Sequence, residues 1–110
     1  MAKVKLIKPR ERVQRQIGGP PGALRAYRDV NTDISSTMAC GVTEFEDTNL
    51  PWHVGYCEYL YCLDGTLKVH DSGTIHELRP GDAIWIPAGT DVLYECKGKV
   101  TVVFAVYPNK

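Results

Sequence analysis

The chain predicts an all-β domain, a sandwich or a barrel, and three observations carry that prediction. Beyond residue 22 it breaks into short runs rich in Val, Ile, Thr, Tyr and Leu, the residues that fit a pleated, half-buried surface. Turn residues separate these runs at short, regular spacing. Helical periodicity is poor throughout, and only residues 8–17 have room for a helical turn or two.

In chain order, "IGGPPG" at 17–22 excludes both helix and central strand, because its glycines lack propensity and its prolines lack donors; it marks the entrance to the body. Strands are expected near 24–30 and 36–45, then at 57–63, which "LDG" at 63–65 ends. The runs 66–70 and 74–78 flank "DSG" at 71–73 and read as a hairpin. "RPGD" at 79–82 precedes a strand at 83–87, "PAG" at 87–89 precedes one at 92–96, and "KGK" at 97–99 leads into the last, at 99–107. Eight strands in 110 residues make one domain with one core.

Charge divides the chain in two. Residues 1–22 carry Lys3, Lys5, Lys8, Arg10, Arg12 and Arg15 against Glu11 alone, which leaves residues 23–110 at minus five in a chain of zero net charge. A basic N-terminal arm over 1–22 therefore precedes an acidic barrel domain over 23–110, and the arm is expected to lie over its own body or a partner subunit. The arm has no aromatic residues for base stacking and no recognition helix, so nucleic acid is not the expected partner. No apolar run approaches the roughly 18 residues of a spanning helix, and the N-terminus lacks the apolar centre of a signal peptide, so no membrane partner and a cytoplasmic location are expected. Cys40, Cys57, Cys62 and Cys96 are accordingly expected as free thiols, and none of their spacings is the two-residue gap of a zinc knuckle.

Functional residue types concentrate in "LPWHVGYCEYLYCLDG", residues 50–65, which holds one histidine, one glutamate, two cysteines and three tyrosines. Glu58, six further residues and Gly65 match the end of the first motif of the cupins, in which two histidines flanking one residue precede the glutamate by three or four residues. Gly81, Pro87 and Gly89 in "GDAIWIPAG" match the start of their second motif, which continues to a histidine and an asparagine. Over about residues 35–107 the chain thus resembles the cupin superfamily, and the resemblance implies a double-stranded β-helix barrel with an internal pocket. With a four-residue spacing, the family's metal ligands would fall at Pro51, His53, Glu58 and Val92, and its asparagine at Cys96. Two of those four cannot bind a metal, so no metal or other cofactor is expected.

Within the cupins the chain resembles the EutQ-like, ethanolamine-utilisation type, through Pro51-Trp52, Tyr56, Glu58 and Tyr107-Pro108. That resemblance implies a pocket that does not rely on the four-ligand metal. It implies less about substrate, because the microcompartment role and acetate-kinase-type activity assigned to EutQ belong to a longer protein. A homodimer is expected from the superfamily resemblance, with the arm or the 24–30 strand crossing to the partner.

Alternation assigns the pocket lining. An inward Glu58 brings Leu60 and Cys62 with it and turns Cys57, Tyr59 and Tyr61 outward; on the strand after the Pro-Ala-Gly turn the inward set is Val92, Tyr94 and Cys96. Trp52, His53 and Tyr56 are expected at the rim, with Trp85 and Met38 or Cys40 as neighbours, and His70 and His76 outside or satisfied. A carboxyl group in an apolar barrel with no arginine nearby exchanges protons near neutral pH. The expected function is therefore a metal-independent enzyme acting on a small polar substrate by isomerisation, elimination or related proton transfer. Glu58 would be the acid and base, Tyr56 and Tyr94 the hydrogen-bond donors, and His53 a relay. Trp52, Leu60, Cys62, Trp85, Val92 and Cys96 would bind the ligand. The alternatives are a non-catalytic module that holds or senses a small ligand, such as a cation drawn to Glu58 and the tryptophan faces, and a metal cupin with an incomplete ligand set.

Overall fold

The computed structural model describes residues 4–9, 12, 14–17 and 23–108. Among these, ten strands form: β1 (Gln14–Ile17), β2 (Ala23–Val30), β3 (Ala39–Glu46), β4 (Asn49–Val54), β5 (Cys57–Asp64), β6 (Leu67–Asp71), β7 (Thr74–Leu78), β8 (Ala83–Ile86), β9 (Thr90–Glu95) and β10 (Lys99–Tyr107). They build a six-stranded sheet in the order β1-β2-β3-β10-β5-β8 and a four-stranded sheet in the order β4-β9-β6-β7, with every pairing antiparallel.

This order is a double-stranded β-helix. From β3 to β6 each strand joins the sheet opposite to its predecessor, β6 and β7 make a hairpin, and β7 to β10 wind back in the same alternating way. The barrel is thus β3–β10, and β1 and β2 extend one of its sheets. Between the sheets lies one core, in which Phe45, Val54, Cys62, Leu67, Val69, Val100 and Val102 have almost no contact with solvent. Each large apolar side chain buried there contributes about 1.5–3 kcal/mol.

The expected strands from β5 to β10 form close to their predicted limits, while the N-terminal half departs in three places. The strand expected at 36–45 begins at Ala39, because Ser35 Oγ accepts hydrogen bonds from the amides of Thr37 and Met38, both at 3.2 Å, and holds a turn there. Residues 49–54 form β4 despite Pro51; β4 is a sheet edge, where a missing donor is tolerated. Residues 14–17 form β1 against β2 rather than a helical turn. Beside that pairing, Arg12 Nε meets Asp29 Oδ1 at 2.8 Å, so this part of the basic arm lies on its own chain. The glycine-proline entrance at 18–22 falls outside the described residues.

Gly41 permits the junction between barrel and extension. A Cβ there would stand 1.8 Å from the Tyr27 carbonyl oxygen and 3.0 Å from the Asp29 amide nitrogen. Opposite it, the β2–β3 register shifts between Arg28 and Val30. Alternation on β2 up to that shift turns Leu24, Ala26 and Arg28 toward the barrel interior, and Arg25 turns outward to Glu44 and Glu46 at 3.5 and 3.3 Å.

Candidate functional site

The barrel holds a partly open cavity of about 80 Å³ that five strands and one loop contribute to. β2 supplies Leu24, Ala26 and Arg28; β3 supplies Thr43 and Phe45; β5 supplies Glu58 and Leu60; Trp52 comes from β4 and Tyr94 from β9. Tyr56 enters from the turn between β4 and β5.

Glu58 sits in mid-sheet, paired with Val106 of β10 on one side and Ile86 of β8 on the other. From the opposite sheet the Tyr94 hydroxyl donates a 3.1 Å hydrogen bond to Glu58 Oε1, and the Tyr94 ring packs on Phe45 at a centroid distance of 5.4 Å. Burial pushes the Glu58 carboxyl up to about 7, although the Tyr94 donor and the Arg28 charge both pull it down. Burial, and then the Glu58 charge and hydrogen bond, push the Tyr94 hydroxyl well above the ordinary phenol range, so Tyr94 stays a neutral donor.

Of the residues singled out from sequence, the cavity brings together Trp52, Tyr56, Glu58, Leu60 and Tyr94. His53 is not among them: it lies on the outward side of β4, 64% exposed, with Nδ1 2.7 Å from Asp91 Oδ1. Its expected relay role is corrected, because the inward residues of β4 are Leu50, Trp52 and Val54. Trp85 points away from the barrel and is 61% exposed, opposite the outward Tyr59. Cys62 and Cys96 are buried but turned to turn carbonyls, with Sγ donating to Gly65 at 3.3 Å and to Gly98 at 3.7 Å respectively. Val92 is core, across from Trp52. Cys40 is half-buried and Met38 exposed, neither lining the cavity. His70 is paired with Glu95 at 2.7 Å, and His76 is exposed.

Sequence reading missed Arg28, Thr43, Phe45, Leu24 and Ala26. Thr43 and Phe45 share the alternation of Ala39 on β3, which is a legible signal. Arg28 is a polar residue at an inward position, so alternation argues against it, and the premise of a carboxylate without an arginine nearby is corrected.

The side chains do not fit the metal of the metal-binding cupins. The inward pair on β4 is Trp52 and Val54, three residues before Glu58 rather than the Pro51 and His53 pair read with a four-residue gap. The corresponding positions are therefore Trp52, Val54, Glu58 and Val92, with one donor among the four. Among the described residues no group of three or more His, Cys, Asp or Glu side chains converges to hold a metal ion.

Two antiparallel sheets wound as a double-stranded β-helix around a central cavity define a cupin. An RmlC-like cupin from Shewanella frigidimarina NCIMB 400 superposes with a TM-score of 0.76 at 15% identity, over 98% of this chain and 94% of that one. The family described as "Ethanolamine utilisation protein EutQ" matches residues 1–110, and the chain belongs to that family. The Clostridium difficile EutQ structure superposes with a TM-score of 0.79 at 24% identity, covering 86% of this chain and 75% of that chain. The protein named "Acetate kinase EutQ" of Clostridioides difficile (strain 630) is 24% identical over 106 residues, 96% of this chain. The chain spans 68% of that relative and only 39% of the Escherichia coli (strain K12) protein of the same name.

Proposed function

We propose that this cupin binds a small polar substrate and that Glu58 exchanges a proton with it, without a metal, in an isomerisation, an elimination or a related reaction. The carrying observation is the buried Glu58–Tyr94 pair at the wall of the cavity. With Glu58 poised near 7, both forms are present at neutral pH: the carboxylate takes a proton from carbon or oxygen, and the acid returns it at another position. Tyr94 holds the carboxyl group in one orientation, while Tyr56 and Arg28 line the same space and are the groups that would stabilise an oxyanion.

Binding without turnover is the second reading, favoured by the small size of the cavity. At about 80 Å³ it is well below the roughly 300–1,000 Å³ of ordinary ligand pockets. A Glu58→Gln variant separates the first two readings: turnover of a substrate found by screening is lost while its binding is kept if Glu58 is the acid and base. Unchanged turnover removes that role.

No helix among the described residues is long and apolar enough to cross a membrane.

A further inference from the structure

Resting on the reading of Glu58 as a proton-exchanging group, we propose that the substrate is a small uncharged α-hydroxy carbonyl compound, which Glu58 isomerises by carrying one proton between its adjacent carbons. A molecule of about four or five non-hydrogen atoms suits the volume of the cavity.

The two oxygens of Glu58 have separate duties. Oε1 accepts the Tyr94 hydrogen bond at 3.1 Å, which fixes the carboxyl group across the barrel. Among the described residues no hydrogen bond reaches Oε2, and Glu58 lines the cavity. The neighbouring polar groups are engaged: Tyr94 donates to Glu58, and Arg28 and Tyr56 each hold an interaction of their own. An elimination needs a second acid at the leaving group, a duty that none of these is free to take. An isomerisation needs one base alone, because adjacent carbons stand about 1.5 Å apart and Oε2 reaches both.

Ligand charge follows from the same walls. Apart from Thr43 and Tyr56, the uncharged lining is Leu24, Ala26, Phe45, Leu60 and Trp52, so a charge carried in would exchange its water for apolar and aromatic surface. Arg28 already acts on Glu58, lowering its proton affinity, so the charges of the cavity are matched before a ligand enters. An anion would face the Glu58 carboxylate and a cation the Arg28 guanidinium. A neutral molecule meets neither penalty.

The step balances without a co-reactant. As a carboxylate, Glu58 takes the proton from the carbon that bears the hydroxyl; the C–H electron pair becomes the carbon–carbon double bond of an enediolate, and the carbonyl π pair moves onto oxygen. The Glu58 acid then returns the proton to the former carbonyl carbon, and one O–H proton passes from the original hydroxyl to the former carbonyl oxygen.

Hydroxyacetone, propionate and 1-aminopropan-2-ol have the same number of non-hydrogen atoms and differ in charge, so together they test the ligand class. Calorimetric titration of the full chain should give hydroxyacetone at least about tenfold the affinity of either charged probe. In D2O the wild type should place deuterium on the carbinol carbon of hydroxyacetone and convert it to 2-hydroxypropanal, as read by NMR, whereas Glu58→Gln should bind it and do neither. Ala26→Leu, on a strand outside the barrel, fills the cavity and should abolish binding with the circular dichroism unchanged; undiminished affinity overturns the location. Propionate or 1-aminopropan-2-ol bound as tightly as hydroxyacetone overturns the uncharged ligand while leaving Glu58 as a proton-exchanging group. Hydroxyacetone that does not bind, or binds without deuterium exchange above the protein-free rate, overturns the substrate class, and the turnover test of Glu58→Gln on a screened substrate still decides the catalytic reading. Exchange that persists in Glu58→Gln overturns both.

Discussion

Glu58 ties the chemistry of this chain to its stability. Its folded proton affinity lies near pH 7 against an ordinary carboxyl value of 4.5, and the cause is burial. Below pH 4.5 the group is protonated whether the chain is folded or not, and it costs nothing. As pH rises from 4.5 to about 7 the unfolded chain releases the proton more readily, so stability falls, by about 3 kcal/mol for this group. Urea unfolding of the wild type and of Glu58→Gln at pH 4.5 and pH 8 measures it: the wild type should lose that increment and the variant should not. Equal pH slopes would show that Glu58 does not titrate in the folded state as described. Carboxyl NMR separates the neighbours further, since Tyr94 and Arg28 both lower the proton affinity of Glu58. Tyr94→Phe and Arg28→Met should each shift its midpoint upward. Tyr94→Phe should also destabilise the fold by about 1.5–3 kcal/mol above pH 7, where the lost hydrogen bond is to a charge.

Among the elements, strand parity decided what sequence made legible. Parity on β5 and β9 places Glu58, Leu60 and Cys62, and Val92 and Tyr94, on buried faces, and each face is set by two-residue alternation in a stretch free of irregularities. Parity does not say whether a buried residue reaches the cavity, and so Cys62, Val92 and Cys96 turned out to be packing residues. On β4 a proline hid the strand itself, and the family motif allowed a gap of three or four residues, so the inward pair is Trp52 and Val54 rather than Pro51 and His53. On β2 the side chains of Arg25 and Arg28 lie on opposite faces, and only the tertiary partners distinguish them: Glu44 and Glu46 outside, the cavity inside. The corrected β4 parity makes a specific prediction. A Trp52→His/Val54→His/Val92→His triple variant should retain nickel after dialysis, because its imidazoles join Glu58, whereas Pro51→His beside the native His53 should retain none at the barrel centre. Nickel retained only by the second variant would restore the four-residue spacing. Gly41 gives an element-scale stability test. Gly41→Ala forces a Cβ into the Tyr27 carbonyl, where the neighbour is backbone and cannot swing aside. A loss of about 2–3 kcal/mol in chemical unfolding is expected, because the β2–β3 pairing of Arg28 with Gly41 must open to admit the Cβ.

For the whole molecule, the outer face of the six-stranded sheet is more apolar than a solvated surface needs to be. Tyr59, Tyr61, Leu63, Trp85 and Tyr107 stand together there, and Tyr59 is opposite both Trp85 and Ala105 in register. At their exposures these five side chains offer roughly 500 Å² of surface, more than half of the about 800 Å² each partner gives to a standard interface. We propose that a second copy of the chain covers this face, making the homodimer that the cupin resemblance leads one to expect. Trp85→Lys should convert the dimer to monomers by light scattering with the fold intact by circular dichroism; a wild-type monomer at 100 μM would remove the proposal.

The position of Arg28 on an appended strand makes the cavity modular. The buried Glu58–Tyr94 pair resides on the barrel strands β5 and β9, whereas the cationic Arg28 of the same cavity sits on β2, outside the closed double helix of strands. Two structural units thus meet in one cavity. A graft of residues 23–30 with a different inward side chain at position 28 would change the charge of the cavity while leaving the Glu58–Tyr94 hydrogen bond in place.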